Sequence, residues 1–239
     1  MARASNFILE IKIPLPAKVI LLALLILMCA SPKTPAQNIN GNPANWCRNG
    51  LFPSDDAEFK LATVSGIKGT KIHFSNDDDG CPSADAKCRM RSYLVTGNQV
   101  LVSRMYGSWI CSWYQPLKRS ETVGWLPVDS LVIPEHPTIP ALGKWIGRWK
   151  YYDQSLKIRR DRKSGFLTVQ GDAIWRGLGD NVHVGSVAAR SAPRGNELIL
   201  IEEGCQVTLK LVGDYIVASD NSECGGMNVR FNGVYRKGR

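Results

Sequence analysis

The sequence predicts an all-β fold: a small β-barrel followed by a second antiparallel β-barrel of about eight strands. Three observations carry this. Runs of four to eight residues alternate apolar and polar and are punctuated by Gly, Asn, Asp and Ser. Across the first half past the leader, to residue 133, no window holds apolar residues at helical spacing for three turns. Past residue 36, six cysteines divide four and two around a proline-rich segment, as a pair of disulfide-tied units would require.

The N-terminus is read first because it is expected to leave the fold. Val19 to Ala30 is an unbroken apolar run behind Arg3, Lys12 and Lys18. It falls short of the ~20 residues that span a bilayer, yet it suits the core of a cleaved export signal. Thr34-Pro35-Ala36 supplies small residues for cleavage, so residues 1–36 are expected to be a signal peptide. Export leads to an oxidising compartment, periplasmic or secreted, where an even cysteine count means disulfides. Metal ligation is disfavoured, since no CxxC pair and only three histidines occur.

Residues 37–133 form the first unit, an N-terminal arm followed by strands. Phe59–Val64 precedes a Ser-Gly turn, and Lys71–Phe74 runs into the polar Asn76–Gly80, expected to be a solvated turn because the acid spacing of a calcium loop is missing. Asn98–Tyr106, Ser108–Tyr114, Thr122–Pro127 and Ser130–Ile133 follow. Four cysteines allow three pairings. The favoured set is Cys81 with Cys88, closing the insertion, and Cys47 with Cys111, pinning the arm to an aromatic strand. The segment 134–140 has prolines at 134, 137 and 140 and reads as a semi-rigid linker.

Residues 141–239 form the second unit. Strands are expected at 145–151, 156–160, 166–169, 173–175, 183–189, 198–201, 205–212, 215–218 and 227–236, with turns at Arg162–Gly165 and Gly213-Asp214. This suits an up-and-down barrel, which removes its own edges. Cys205 and Cys224 flank a hairpin and pair with each other. Lys and Arg balance Asp and Glu at 10 each over 37–139 but exceed them by 16 to 10 over 140–239. Anionic partners are therefore expected for the second unit.

The aromatic strand after Tyr106-Gly107, and the closing Gly124-Trp125-Leu126-Pro127 with Leu131, resemble the bacterial SH3-like domain over about residues 55–133. That resemblance implies a small barrel that binds peptides or wall fragments, with some aromatics lining an exposed groove. The extra cysteines and the Asn76–Cys88 insertion depart from its simplest members. Gly147-Arg148-Trp149, with the terminal Phe231-x-Gly233-x-Tyr235-Arg236, looks like the opening and closing of a calycin-type barrel, and implies an entry-strand tryptophan stacked beneath a late arginine. The ending Cys224–Val229 resembles tails of uncharacterised alphaproteobacterial envelope proteins with the same two-part layout.

Two clusters stand as candidate sites. Tyr106, Trp109, Trp113, Tyr114 and Trp125 divide between core and ligand groove, with Tyr106 and Tyr114 the better groove residues. Lys157, Arg159, Arg160, Arg162 and Lys163 crowd one hairpin, as an anion footprint or as charges that keep an edge soluble. No nucleophile elbow, zinc-binding HExxH or free thiol with an oriented base is present, so no catalytic residue, metal or cofactor is expected. The expectation is an exported, non-enzymatic envelope protein that binds a cell-wall peptide or glycan fragment, or an envelope protein. The alternative is an inhibitor or immunity factor directed at a wall hydrolase. Nucleic acid is not expected; peripheral membrane contact is compatible with the charge.

Overall fold

A computed structural model of the chain describes residues 46–238, apart from 49, 55–57, 79 and 117–119. The expected signal peptide lies outside the described residues. The described residues form one compact unit built on two antiparallel sheets.

The first sheet contains β1 (Lys60–Val64), β2 (Lys71–Ser75), β3 (Arg89–Val95), β4 (Gln99–Tyr106), β5 (Trp109–Tyr114), β6 (Thr122–Pro127) and β7 (Leu131–Val132). Its order is β3-β2-β6-β5-β4-β1-β7, a half-barrel. β3 was not expected. Its Arg-Met-Arg-Ser-Tyr start exposes every other residue and only Leu94 is fully buried, so the apolar signal of a strand is weak there. The three central strands do the opposite. Val100 to Ser103, Ile110 to Trp113 and Val123 to Leu126 are buried without alternation, because both faces of the sheet are covered. One face closes over Ala62, Phe74, Leu94, Val102 and Leu126; the other carries the junction described below.

The second sheet contains β8 (Gly147–Tyr151), β9 (Gln154–Arg160), β10 (Leu167–Arg176), β11 (Val182–Ser191), β12 (Glu197–Glu202), β13 (Cys205–Val212), β14 (Tyr215–Asp220) and β15 (Gly233–Lys237). It runs β11-β10-β9-β8-β15-β14-β13-β12, a nearly closed barrel. The segments expected at 166–169 and 173–175 are one strand, β10. Gly171 reads as a break, but it faces inward where Leu156, Phe231 and Val187 converge, and a Cβ there would lie 2.8–3.0 Å from all three. The strand expected at 227–236 is regular only from Gly233; Phe231 instead fills the interior. The open end lies between β11 and β12. There Glu202 accepts from the Ala188 N–H at 2.6 Å and the Gly226 N–H donates to the Val184 carbonyl at 3.2 Å, so two of the edge's backbone groups are capped.

The barrel interior is packed with Trp145, Trp149, Leu209, Ile216, Phe231 and Tyr235. Trp149 Nε1 donates to the Trp145 carbonyl at 2.8 Å and the Tyr235 hydroxyl to the Phe231 carbonyl at 2.9 Å. The cation above Trp149 is Lys237, 5.1 Å from the ring, and not the expected Arg236. Register explains this: Lys237 stands opposite Trp149, whereas Arg236 is opposite Lys150 and points outward.

Three disulfides, Cys47–Cys111, Cys81–Cys88 and Cys205–Cys224, tie the described chain, as an oxidising compartment allows. Asp77, expected in a solvated turn, is buried and accepts from Arg48 Nε at 2.6 Å, fastening the arm beside β2. Burial raises its carboxyl from its ordinary value despite that partner.

Gly171→Ala should destabilise the chain by about 1–3 kcal/mol through overpacking, read from denaturant unfolding. Replacing Cys205 and Cys224 together by serine should cost roughly 3 kcal/mol in the same assay, the chain-entropy value for a short loop.

Candidate functional site

Alternation along β5 puts Trp109, Cys111 and Trp113 on one side and Ile110, Ser112 and Tyr114 on the other. The first side meets Phe52 and Phe59 of the arm and, beyond them, Val212, Val217 and Val234 on the outer wall of the barrel. These residues form one apolar cluster shared by both sheets. The Cys47–Cys111 disulfide lies inside it, and Asn232 Nδ2 reaches Ser54 Oγ at 2.9 Å beside it.

Trp113 is the centre of this junction. Its indole N–H donates to Glu121 Oε2 at 2.8 Å, Tyr215 meets it edge-on at 5.4 Å, and the Arg236 guanidinium stands 5.7 Å from its ring. Glu121 also accepts from the Tyr151 hydroxyl at 3.1 Å, so one carboxylate bridges a strand of each sheet. Arg236, directed outward by its register, donates to the Gln115 carbonyl and lies over Tyr215 as well. Gly233 makes room for Tyr151, whose ring would lie 2.1 Å from any Cβ at that position.

The aromatic candidates therefore separate. Trp113 and Trp125 are 2% and 0% exposed, so they belong to the core and do not line an open groove. Trp109 is half-buried against the same cluster. Tyr106 is 39% exposed, with its ring 6.0 Å from Trp125. Tyr114 is half-buried and lines two surface depressions, one with Arg91 and Tyr93 and one with Gln115 and Arg236.

Beside the junction runs a groove of about 730 Å³, walled by Lys60 and Leu61 on β1, by the Gly213–Tyr215 turn of the barrel, and by Pro137 and Ile139 of the proline segment. A second depression of about 670 Å³, reaching Tyr114 and Lys237, shares Thr63, Gln99, Asp214 and Tyr215 with it, so the two are continuous. Both sheets contribute walls. The proline segment runs along the groove, and Lys60 Nζ donates to the Glu135 carbonyl. Sequence reasoning missed these residues. The available signal was in Leu211-Val212 and Tyr215-Ile216-Val217, where apolar residues of both parities imply burial outside the barrel as well as within it.

The five hairpin cations do not share one face. Lys157 and Arg159 point out from the barrel wall, Arg160 has the opposite parity, and Arg162 and Lys163 sit in the turn, Lys163 4.3 Å above the Phe166 ring. His73 and His183 each set Nδ1 against a backbone carbonyl, of Met90 and Met227. Among the described residues, no group of three or more His, Cys, Asp or Glu is placed to hold a metal ion. Compared with protein-family models, curated proteins and solved structures, the chain matches none.

Trp113→Ala should cost about 3–5 kcal/mol in equilibrium unfolding, as for other buried large-to-small changes. Burial first, and then the adjoining Glu121 carboxylate, raise the Tyr151 phenol well above its ordinary value; burial does the same to Tyr235. An unfolded phenol begins to ionise near pH 10 while the folded one keeps its proton. The resulting stabilisation is complete below about pH 10 and is lost as pH rises further. Tyr151→Phe should blunt that alkaline loss, measured as denaturation midpoints between pH 8 and 11.

Proposed function

We propose that the chain is an exported, non-enzymatic binding protein of the bacterial envelope, periplasmic or secreted, that takes an extended peptide or cell-wall fragment in the junction groove. The observation that carries this reading is the groove itself, open to solvent and walled by both sheets and the proline segment. Its lining suits such a ligand. Leu61, Ile139 and the prolines offer apolar contact, while Gln99, Asn196 and Asp214 offer hydrogen-bonding groups that fix orientation. Three disulfides support placement outside the cytoplasm.

In the same reading the half-barrel is an SH3-like domain and the barrel a calycin-like one. The adjacency of aromatic β5 to the closing strand β6 supports the first, and Trp149 on the entry strand beneath a cation of the last strand supports the second. The ligand surface moves, however, from the aromatic ladder, which the junction occupies, to the groove beside it.

Retention on purified peptidoglycan at low and moderate salt tests the proposal. Binding is expected at both, with Gln99→Trp, which obstructs the groove, lowering it by about tenfold. Substitution of the exposed Met105 should leave it unchanged. No retention at either salt would overturn the reading. Slowed muramidase or amidase turnover without wall binding would replace it with that of a protein-directed inhibitor.

A further inference from the structure

The register of the barrel wall collects cations that are scattered in sequence. Arg148 on β8 stands directly opposite Lys157 on β9, with Lys150 two residues along β8 and Arg159 two residues along β9. Outward parity puts all four on the same face, beside the inward Trp149, Leu156 and Ile158. Adjacent strands are about 4.8 Å apart and alternate residues about 6.7 Å apart, so the four make a diagonal band across two strands. Thr168 and Gln170 of β10 prolong it, opposite Arg159 and Lys157, and lead to Arg190 and Ala188 of β11.

Among the described residues, none of Arg148, Lys150, Lys157 and Arg159 makes an ion pair. Of the acids that border the band, Asp161 pairs with Arg190 at 2.7 Å and Glu202 accepts from the Ala188 N–H, whereas Asp172 ends the row that Lys150 begins, with Ser155 between them. Like charges facing each other across a ladder destabilise a sheet, and solubility alone does not require them to be set in register. Their spacing suits an array of anions.

We propose that this outer face of β8–β10 is a binding site for a linear phosphate polymer, starting at Lys150, which stands opposite Arg236 of the junction, and running away from the groove across β9 and β10. A polymer is favoured over a bilayer because the positions between and beside the cations hold Ser155, Thr168 and Gln170, which hydrogen-bond to phosphate oxygens. The aromatic and aliphatic anchors of interfacial proteins are not among them. The band is also two-sided: Lys157 and Arg159 come from the basic hairpin, whereas Arg148 and Lys150 come from the entry strand.

Long-chain inorganic polyphosphate is the probe, titrated against the full oxidised chain at low salt, with vesicles of phosphatidylglycerol as a second arm. Polyphosphate should bind and weaken steeply as salt is raised. Lys157→Gln with Arg159→Gln should lower affinity about tenfold. The equally charge-reducing pair Arg162→Gln with Lys163→Gln, at the hairpin turn, should change it less than about twofold. The first pair relieves the Arg148–Lys157 opposition, so its melting temperature should be unchanged or higher. The proposal is overturned by an equal loss in both double variants, by a loss that accompanies a lowered melting temperature, or by binding to vesicles without binding to polyphosphate.

Discussion

Trp113 packs between two sheets that each have a core of their own, and the rest of the architecture follows from that placement. An indole buried at a junction needs a partner for its N–H, which Glu121 supplies; the same carboxylate is then shared with Tyr151 of the barrel. Desolvating one carboxylate is costly unless its acceptor sites are filled, so the two donors and the apolar cluster around them depend on one another. The arm joins this arrangement through Cys47, Phe52 and Phe59, and the barrel contributes Val212, Val217 and Val234 from its outer wall.

This constraint decides which surfaces remain for function. The aromatic side of β5, which a free-standing small barrel could present to a ligand, is covered by the neighbouring sheet. The groove exists because the Gly213–Tyr215 turn meets β1 only in part, Leu61 packing against Gly213, where a Cβ would come within 2.7 Å of it. Gly213 has φ +61°, so its lack of a side chain serves both the turn and that close approach. The cationic band begins beside the junction, where Lys150 stands opposite Arg236, and extends along β8 and β9 over residues that stay exposed or half-buried.

Much of the fold was legible because single-faced strands alternate. β9, β12 and β13 show their inward residues plainly, and the cysteine spacing made the Cys205–Cys224 bridge readable. What escaped reading has physical causes. β3 buries too little to alternate apolar with polar, and Gly171 resembles a turn residue until the three side chains converging on it are seen. The site was the least legible part. Burial on both faces of β4, β5 and β6 looks the same in sequence whether the second face meets a ligand or another sheet, so Trp113 and Trp125 could be read as groove or core. The basic hairpin was visible as a charge run, but only strand register shows that Lys157 joins Arg148 while Arg160 does not.

Equilibrium unfolding of the oxidised chain, followed at once by tryptophan fluorescence and far-ultraviolet circular dichroism, tests the junction most directly. A shared core predicts one transition with coincident midpoints, shifted as a whole by Trp113→Ala. Two separable transitions, one of them unmoved by that substitution, would contradict it.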